Sequence, residues 1–233
     1  IRPSRGLGDV YKRQGIILVS GPTGSGKTTT LYSTLNKMEK PDINIVTIED
    51  PIEFDLENIN QAQVNTKSGV TFASALRSIL RQDPDIIMVG EIRDDETVEL
   101  AIRAALTGHL VFSTIHTNDA ASGFARLLNW EIEPFLIAST VKGILAQRLV
   151  RRICENCRIE HEITDRESTL LKIDKKKYAK TFTGKGCLSC RNSGYRGRVG
   201  LYELLKVDEK VSQLVLNQEP SFKIKEMARK NGM

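Results

Sequence analysis

No stretch of the 233-residue sequence approaches the ~18 to 20 consecutive apolar residues that a membrane-crossing helix requires, and its start lacks the basic-then-apolar order of a secretory leader. A cytoplasmic protein is the expectation. Aromatic residues are scarce, at 6% with a single Trp, so base-stacking platforms for nucleic acid are poorly supported and no direct nucleic-acid contact is expected. Internal repeats and low-complexity tracts are absent, which removes solenoid architectures. The charge excess is small: 34 Lys+Arg against 29 Asp+Glu leaves +5, which suits a nucleotide, an acidic partner, anionic lipid or a plain basic surface equally well.

What is present is ordinary globular composition, 40% hydrophobic and 27% charged, in a chain long enough for one sizeable core and a smaller unit. Residues 1–14 have no sustained periodicity and read as a leader, a cloning or assembly scar; the chain reads as a fragment at both ends. From Gly15 to about residue 150 short apolar runs alternate with helical spacing, which predicts an α/β fold with a mostly parallel sheet. "GIILVS", "INIVTI", "IIMVG" and "LVFSTI" read as strands. "TTTLYSTLNKMEK", "FASALRSILRQ", a segment entered through Asp94 and Asp95, and everything from "RLLNW" through "FLIASTVKGILAQRLVRRI" read as helix. The texture changes over 151–199, and 200–233 reads as a mixed helical tail. The lysines at 175–177 read as a solvated face.

The sequence "GPTGSGKT" satisfies the G-x-x-x-x-G-K-[ST] spacing. Phosphates need several backbone N–H groups aimed at one point, and a glycine-rich loop running into a helix N-terminus supplies them. Gly21, Pro22, Thr23, Gly24, Ser25, Gly26, Lys27, Thr28 and Thr29 are the expected ATP contacts, with Lys27 on the β and γ phosphates and Thr28 on Mg²⁺.

The strand ending at Gly90 has glycine where many such enzymes place an aspartate. Three acids cluster after the second strand instead, Glu49, Asp50 and Glu53, and Glu91 follows Gly90. A parallel sheet gathers these strand ends on one edge beside the phosphate loop, an accumulation of negative charge that a divalent cation would relieve. Glu91 is the expected base, with Glu49 and Glu53 as its alternatives and Asp50 in the same loop contacting metal or water. His116 falls at the carboxyl end of "LVFSTI", where an imidazole could reach a γ-phosphate; His109 flanks the strand's other end and reads equally as nucleotide contact or structural residue. Arg77, Arg81 and Arg93 could each reach a phosphate or a neighbouring subunit.

"CENC" (Cys154, Cys157) and "CLSC" (Cys187, Cys190) are two C-x-x-C pairs separated by residues 158–186. Two such knuckles complete a tetrahedral S₄ site suited to structural Zn²⁺. Disulfides, metal-free thiols and a redox pair are the other readings, and cytoplasmic context weighs against the first.

"GPTGSGKTTTLY", "TIEDPIE", "LRQDPDIIMVGEIRD" and "TGHLVFSTIHTND", in this order, resemble the Walker A, aspartate box, atypical Walker B and histidine box of the ATPases of type II secretion and type IV pilus assembly. The likeness runs from Gly15 to Met233. It implies a RecA-like fold, ATP hydrolysis, a homo-hexameric ring, and arginine fingers from a domain preceding the phosphate loop. It also implies that the tetracysteine unit belongs to the subdomain docking onto the inner-membrane platform protein, a unit retraction ATPases generally lack. Trp130 and Glu131 depart from the methionine and glycine expected of the family. A retraction or conjugative-type motor, and a nucleic-acid-binding zinc protein or translocase, are the competing readings.

Overall fold

Chain segments rich in Ile and Val lie side by side with both faces covered, the burial that parallel strands demand because their crossovers place helices on either side. The computed structural model describes residues 14–38, 41–174, 177 and 180–233. The leader assigned to 1–14 lies outside these except for Gln14, as do Lys175, Lys176 and Tyr178.

In chain order the elements are β1 (Gly15–Ser20), α1 (Lys27–Met38), β2 (Ile45–Glu49), β3 (Asn60–Gln63), α2 (Phe72–Ile79), β4 (Ile86–Val89), α3 (Asp95–Leu106), β5 (Leu110–Ile115), α4 (Ser122–Asn129), α5 (Pro134–Thr140) and β6 (Val141–Ile153). There follow β7 (Arg158–Glu162), α6 (Asp165–Leu171), β8 (Lys180–Gly184), β9 (Tyr195–Lys206), α7 (Glu209–Leu216) and α8 (Ser221–Lys230). Two compact units emerge: one runs up to Arg148 and takes in Tyr202–Met233, and the other is Leu149–Leu201.

The sheet order is β3-β2-β4-β5-β1-β6-β9. β1 pairs in parallel with β5 from Gly15↔Leu110 to Ser20↔Ile115, and β5 pairs in parallel with β4. The strand before the phosphate loop and the strand before Glu91 are therefore separated by β5 alone. On one sheet face Leu31, Tyr32 and Leu35 of α1 pack with Val19, Met88 and Phe112. On the other, Phe72, Leu76, Val98, Ile102, Phe124 and Ile137 of α2 to α5 pack on Leu18, Ile48, Val89 and Val111. Polar caps define the helix starts: Thr71 and Ser74 form a reciprocal capping box at α2, and Asp94 accepts from Thr97 N at 2.7 Å at α3.

Three sequence expectations are corrected. Residues 141–153 form β6 and do not continue helix α5: Val141, Gly143 and Ala146 pair with Ile16, Ile17 and Ser20. The open edge of β1 needs a hydrogen-bonding partner, glycine at 143 weakens a helix, and a continuous apolar run carries no decisive period. β3, sequence NQAQ, was not foreseen because it has no apolar alternation; it pairs through its backbone with β2, Val46↔Asn60 to Glu49↔Gln63. The tail starts as strand β9 and becomes helical only at Glu209, and Leu205, Val211, Val215, Ile224 and Ala228 join the first unit's core. Glu131, where the family pattern has glycine, adopts the left-handed φ of 57° that glycine favours, and the Arg126 guanidinium stacks 4.5 Å from the Trp130 ring.

In the second unit β7 and β8 pair antiparallel, from Arg158↔Gly184 to Glu162↔Lys180. Thr164 and Glu167 box the start of α6, and His161 Nε2 lies 3.3 Å from Glu167 Oε1.

Candidate functional site

The loop 21–26 joins β1 to α1, and Lys27 is the first residue of that helix. Lys27 Nζ donates to the carbonyls of Gly21 at 2.9 Å and Pro22 at 3.2 Å. Burial lowers the Lys27 pKa, with the charge of Glu91 pulling the other way, so these two groups share one electrostatic environment. Gly21 has φ +145°, and a Cβ there would stand 2.3 Å from the Gln147 carbonyl oxygen and 2.7 Å from Ser25 Oγ; only glycine fits.

Gln147, buried on β6, braces the loop: its Nε2 donates to Ser25 O at 2.7 Å and its Oε1 accepts from Thr30 Oγ1 at 2.7 Å. Sequence reasoning missed this residue because the segment read as helix; a lone amide inside an apolar run was the available signal. Ser25 Oγ is buried in the loop without a hydrogen-bond partner among the described residues. Such an orphaned hydroxyl beside a glycine-rich helix start fits a phosphate-binding cradle.

Gly90 explains the displaced carboxylate. A Cβ at Gly90 would lie 3.2 Å from Ile48 O and 3.3 Å from Glu49 Cα, because the residue is squeezed against β2, with its own N–H on Ile48 O at 2.8 Å. Its carbonyl accepts from Thr114 Oγ1 at 2.8 Å. A side chain at 90 would be tight against β2, needing its neighbours to give by a few tenths of an ångström, and the acid of this strand end stands one residue on, at Glu91. There Glu91 pairs through Oε1 with Arg93 Nη2, and its Oε2 lies 3.3 Å from His116 Nε2. Burial pushes the Glu91 pKa up, but hydrogen bonding and charge from Arg93 and His116 more than offset it and hold the group below the ordinary carboxylate value.

Arg93 also lies 3.4 Å from Asp50 Oδ2. Of the three candidate arginines it alone joins this cluster, since Arg77 pairs with Glu96 and Arg81 turns back onto the Arg77 carbonyl at 2.9 Å.

Glu49, a candidate catalytic acid from the sequence, is 2% exposed and hydrogen-bonded through both oxygens. It accepts from Tyr32 Oη, from Thr47 Oγ1 at 2.7 Å and from Gln61 Nε2 at 2.9 Å. Burial, together with the bond to Glu49, pushes the Tyr32 pKa up to about 12. This geometry ties Glu49 to the acidic loop, whose Glu53 N also reaches Tyr32 Oη at 3.4 Å, with three donors on its roughly four acceptor sites. Glu53 itself is exposed.

His109 stands at the amino end of β5, where its carbonyl accepts from Gly15 N at 3.1 Å. Its Nδ1 lies 2.9 Å from Ala104 O and 3.1 Å from Thr107 Oγ1. β5 separates His109 from His116 by seven residue steps, about 23 Å at ~3.3 Å per residue. The structure therefore does not bring His109 to the phosphate loop of its own chain, whereas His116, at the other end of the same strand, reaches Glu91.

In the second unit Cys154, Cys157, Cys187 and Cys190 place their sulfurs within 4.8 Å of one another. Individual Sγ···Sγ separations are 3.9 Å for 154–187, 3.8 Å for 157–190 and 3.7 Å for 187–190. A tetrahedron with metal–sulfur bonds of about 2.3 Å has edges of about 3.8 Å, so the four thiols fit one tetrahedral ion. Burial disfavours the Cys190 thiolate, but hydrogen bonds from the backbone N–H groups of Cys187 and Gly194 and from the Cys187 and Cys157 thiols outweigh it and draw the pKa down to about 6, while burial and the neighbouring thiols push Cys157 up to about 12.

A family model described as "Type II/IV secretion system protein" matches residues 7–233. The type II secretion system protein E of Pseudomonas aeruginosa is 50% identical over 223 residues, covering 96% of this chain and 44% of that protein. The type IV pilus assembly ATPase PilB of the same species is 51% identical over 229 residues, covering 97% of this chain and 40% of that protein. The chain thus spans less than half the length of these relatives. Among solved structures, the pilus retraction motor PilT with bound ADP superposes with a TM-score of 0.67 at 34% identity, over 94% of this chain and 54% of that one.

The depressed Glu91 pKa has a stability signature. A carboxyl held below its unfolded value, 4.5, stabilises the fold above that pH and loses the contribution as pH falls through its folded value. The stability difference between wild type and Glu91→Gln, measured by denaturant unfolding, is expected to be level near neutrality and to shrink below pH 4.5. An equal difference at about pH 3 and at neutral pH would contradict the ion-paired arrangement.

Proposed function

The chain belongs to the type II/IV secretion system protein family, and from that premise we propose that it is the ATP-hydrolysing motor core of a secretion or pilus-assembly machine. The observation that carries this reading is the meeting, at one sheet edge, of the Lys27 loop, Glu91 and His116. In this reading the loop amides and Lys27 hold the phosphates, and Thr28 with the neighbouring acids holds Mg²⁺, which supplies charge neutralisation at the phosphates. Glu91 orients and deprotonates the attacking water. His116, hydrogen-bonded to Glu91, is placed to register the γ-phosphate. Arg93 keeps Glu91 ionised, and the Tyr32–Glu49 bond sets the position of the Asp50–Glu53 loop.

Zn²⁺ is the metal we assign to the four cysteines, in a structural role: all four ligands come from protein, so no position remains open for chemistry. Assembly into a homo-hexamer and docking on an inner-membrane platform protein complete the proposal, with cytoplasmic location and membrane association through that partner. No helix among the described residues is long and apolar enough to cross a membrane. Relatives named for secretion and pilus assembly stand near 50% identity, and the retraction motor at 34%. Together with the cysteine cluster, this favours extension or secretion over retraction.

Lys27→Ala is expected to abolish MgATP binding or turnover, and Glu91→Gln to spare binding while cutting hydrolysis about 10²- to 10⁴-fold, both read by titration and phosphate release. An unchanged rate in Glu91→Gln would remove the base assignment. Metal analysis is expected to return one zinc per chain, and chelation to unfold the Leu149–Leu201 unit, read by hydrogen exchange. Iron, or no metal, would overturn the zinc assignment.

A further inference from the structure

The segment that follows β5 starts at His116 and is held at its other end by an ionic clamp from the last helix. Lys225, on α8, places Nζ 2.7 Å from Asp119 Oδ2 and 3.4 Å from Glu203 Oε1. Both acids use their second oxygen on the loop. Asp119 Oδ1 accepts from Ser122 N at 2.8 Å and Ser122 Oγ at 2.6 Å, and Glu203 Oε2 accepts from Ala120 N at 3.3 Å. Arg148 Nη2 adds a bond to Asn118 O at 3.2 Å.

Two carboxylates converging on one loop repel each other unless a cation stands between them, and Lys225 is that cation. It is no free surface lysine. Its neighbour Ile224 is 1% exposed, Ala228 is 4% exposed, and both sit in the main core, so α8 cannot move without disturbing packing. The Lys225 side chain is itself 25% exposed. Hydrogen bonding to Asp119 raises the Lys225 pKa; at Asp119 burial acts upward, but the bonds from Lys225 and Ser122 outweigh it and the group stays ionised.

A typical exposed ion pair contributes little to stability. This one differs because both acids also bind the amides of a segment whose first residue touches Glu91. We propose that Lys225 is a positioning residue for ATP hydrolysis: it clamps Asp119 and Glu203, which hold residues 117–122 and thereby keep His116 against Glu91. The inference rests on the ATPase reading above and goes beyond it by coupling α8 and the end of β9 to the catalytic edge.

The test uses Lys225→Met, Lys225→Arg and the double variant Asp119→Asn with Glu203→Gln in the whole chain. In Lys225→Met, amide hydrogen exchange over 117–122 is expected to accelerate while the sheet keeps its protection. MgATP affinity should stay close to wild type and turnover should fall about 10- to 100-fold, the cost of an ångström-scale misplacement. Lys225→Arg, which retains the charge, should restore most of the rate. If Lys225→Met also loosens α8, Asp119→Asn combined with Glu203→Gln decides, because the pair removes both charges that Lys225 meets while leaving that helix unaltered. Unchanged exchange over 117–122 in that double variant overturns the proposal, as does loosened exchange with undiminished turnover. A wild-type chain that binds no MgATP sinks the ATPase reading instead, and exchange over 117–122 then decides the clamp by itself.

Discussion

The site depends on the position of one strand. β5 lies between β1 and β4, so the residue leaving its carboxyl end, His116, emerges between the phosphate loop and Glu91. Parallel strands present their carboxyl ends on a common edge, and this order makes three sequence-distant motifs converge there. The convergence assembles charge that must be balanced. Arg93 answers Glu91 and Asp50, Lys27 sits within the field of Glu91, and Glu49 is withdrawn into a buried net of donors.

Close packing around Gly90 favours a small residue there, with the acid following at 91. β2 and β4 approach so tightly at Gly90 that a methyl group would press on the Ile48 carbonyl, while Ser113 and Thr114 hydroxyls tie down the Val89 and Gly90 carbonyls at 2.7 and 2.8 Å. The backbone around the carboxylate is thus fixed from both sides, the preorganisation that the proposed water-orienting role of Glu91 would draw on. Gln147 performs the equivalent service for the phosphate loop from β6. In the second unit, the two knuckles bring four sulfurs to tetrahedral spacing through short turns at Glu155–Cys157 and Leu188–Cys190.

Much of this was legible in the residues. The glycine spacing before Lys27, the acids at strand ends and the paired C-x-x-C motifs each carry their chemistry locally. What was not legible depended on tertiary partners. Residues 141–153 have a strand's environment only because β1 offers an open edge, and Gln147 gains its role only in that register. NQAQ becomes a strand by backbone pairing to β2, without side-chain signal. His109 and His116 flank one strand and look equivalent in sequence; strand direction alone sends one toward Glu91 and the other to the far edge. Glu49 and Glu91 are both acids at strand ends, and burial separates an anchored carboxylate from one lining the cluster.

The central claim is that Lys27, Glu91 and His116 surround one reacting centre. A structure of the chain with Mg²⁺ and a non-hydrolysable triphosphate analogue tests it most directly. The account requires Lys27 Nζ to leave the Gly21 and Pro22 carbonyls for phosphate oxygen, and Glu91 to hold a water in line with the γ-phosphorus. A triphosphate seated in the loop with Glu91 turned away, and a different carboxylate on that water, would contradict it.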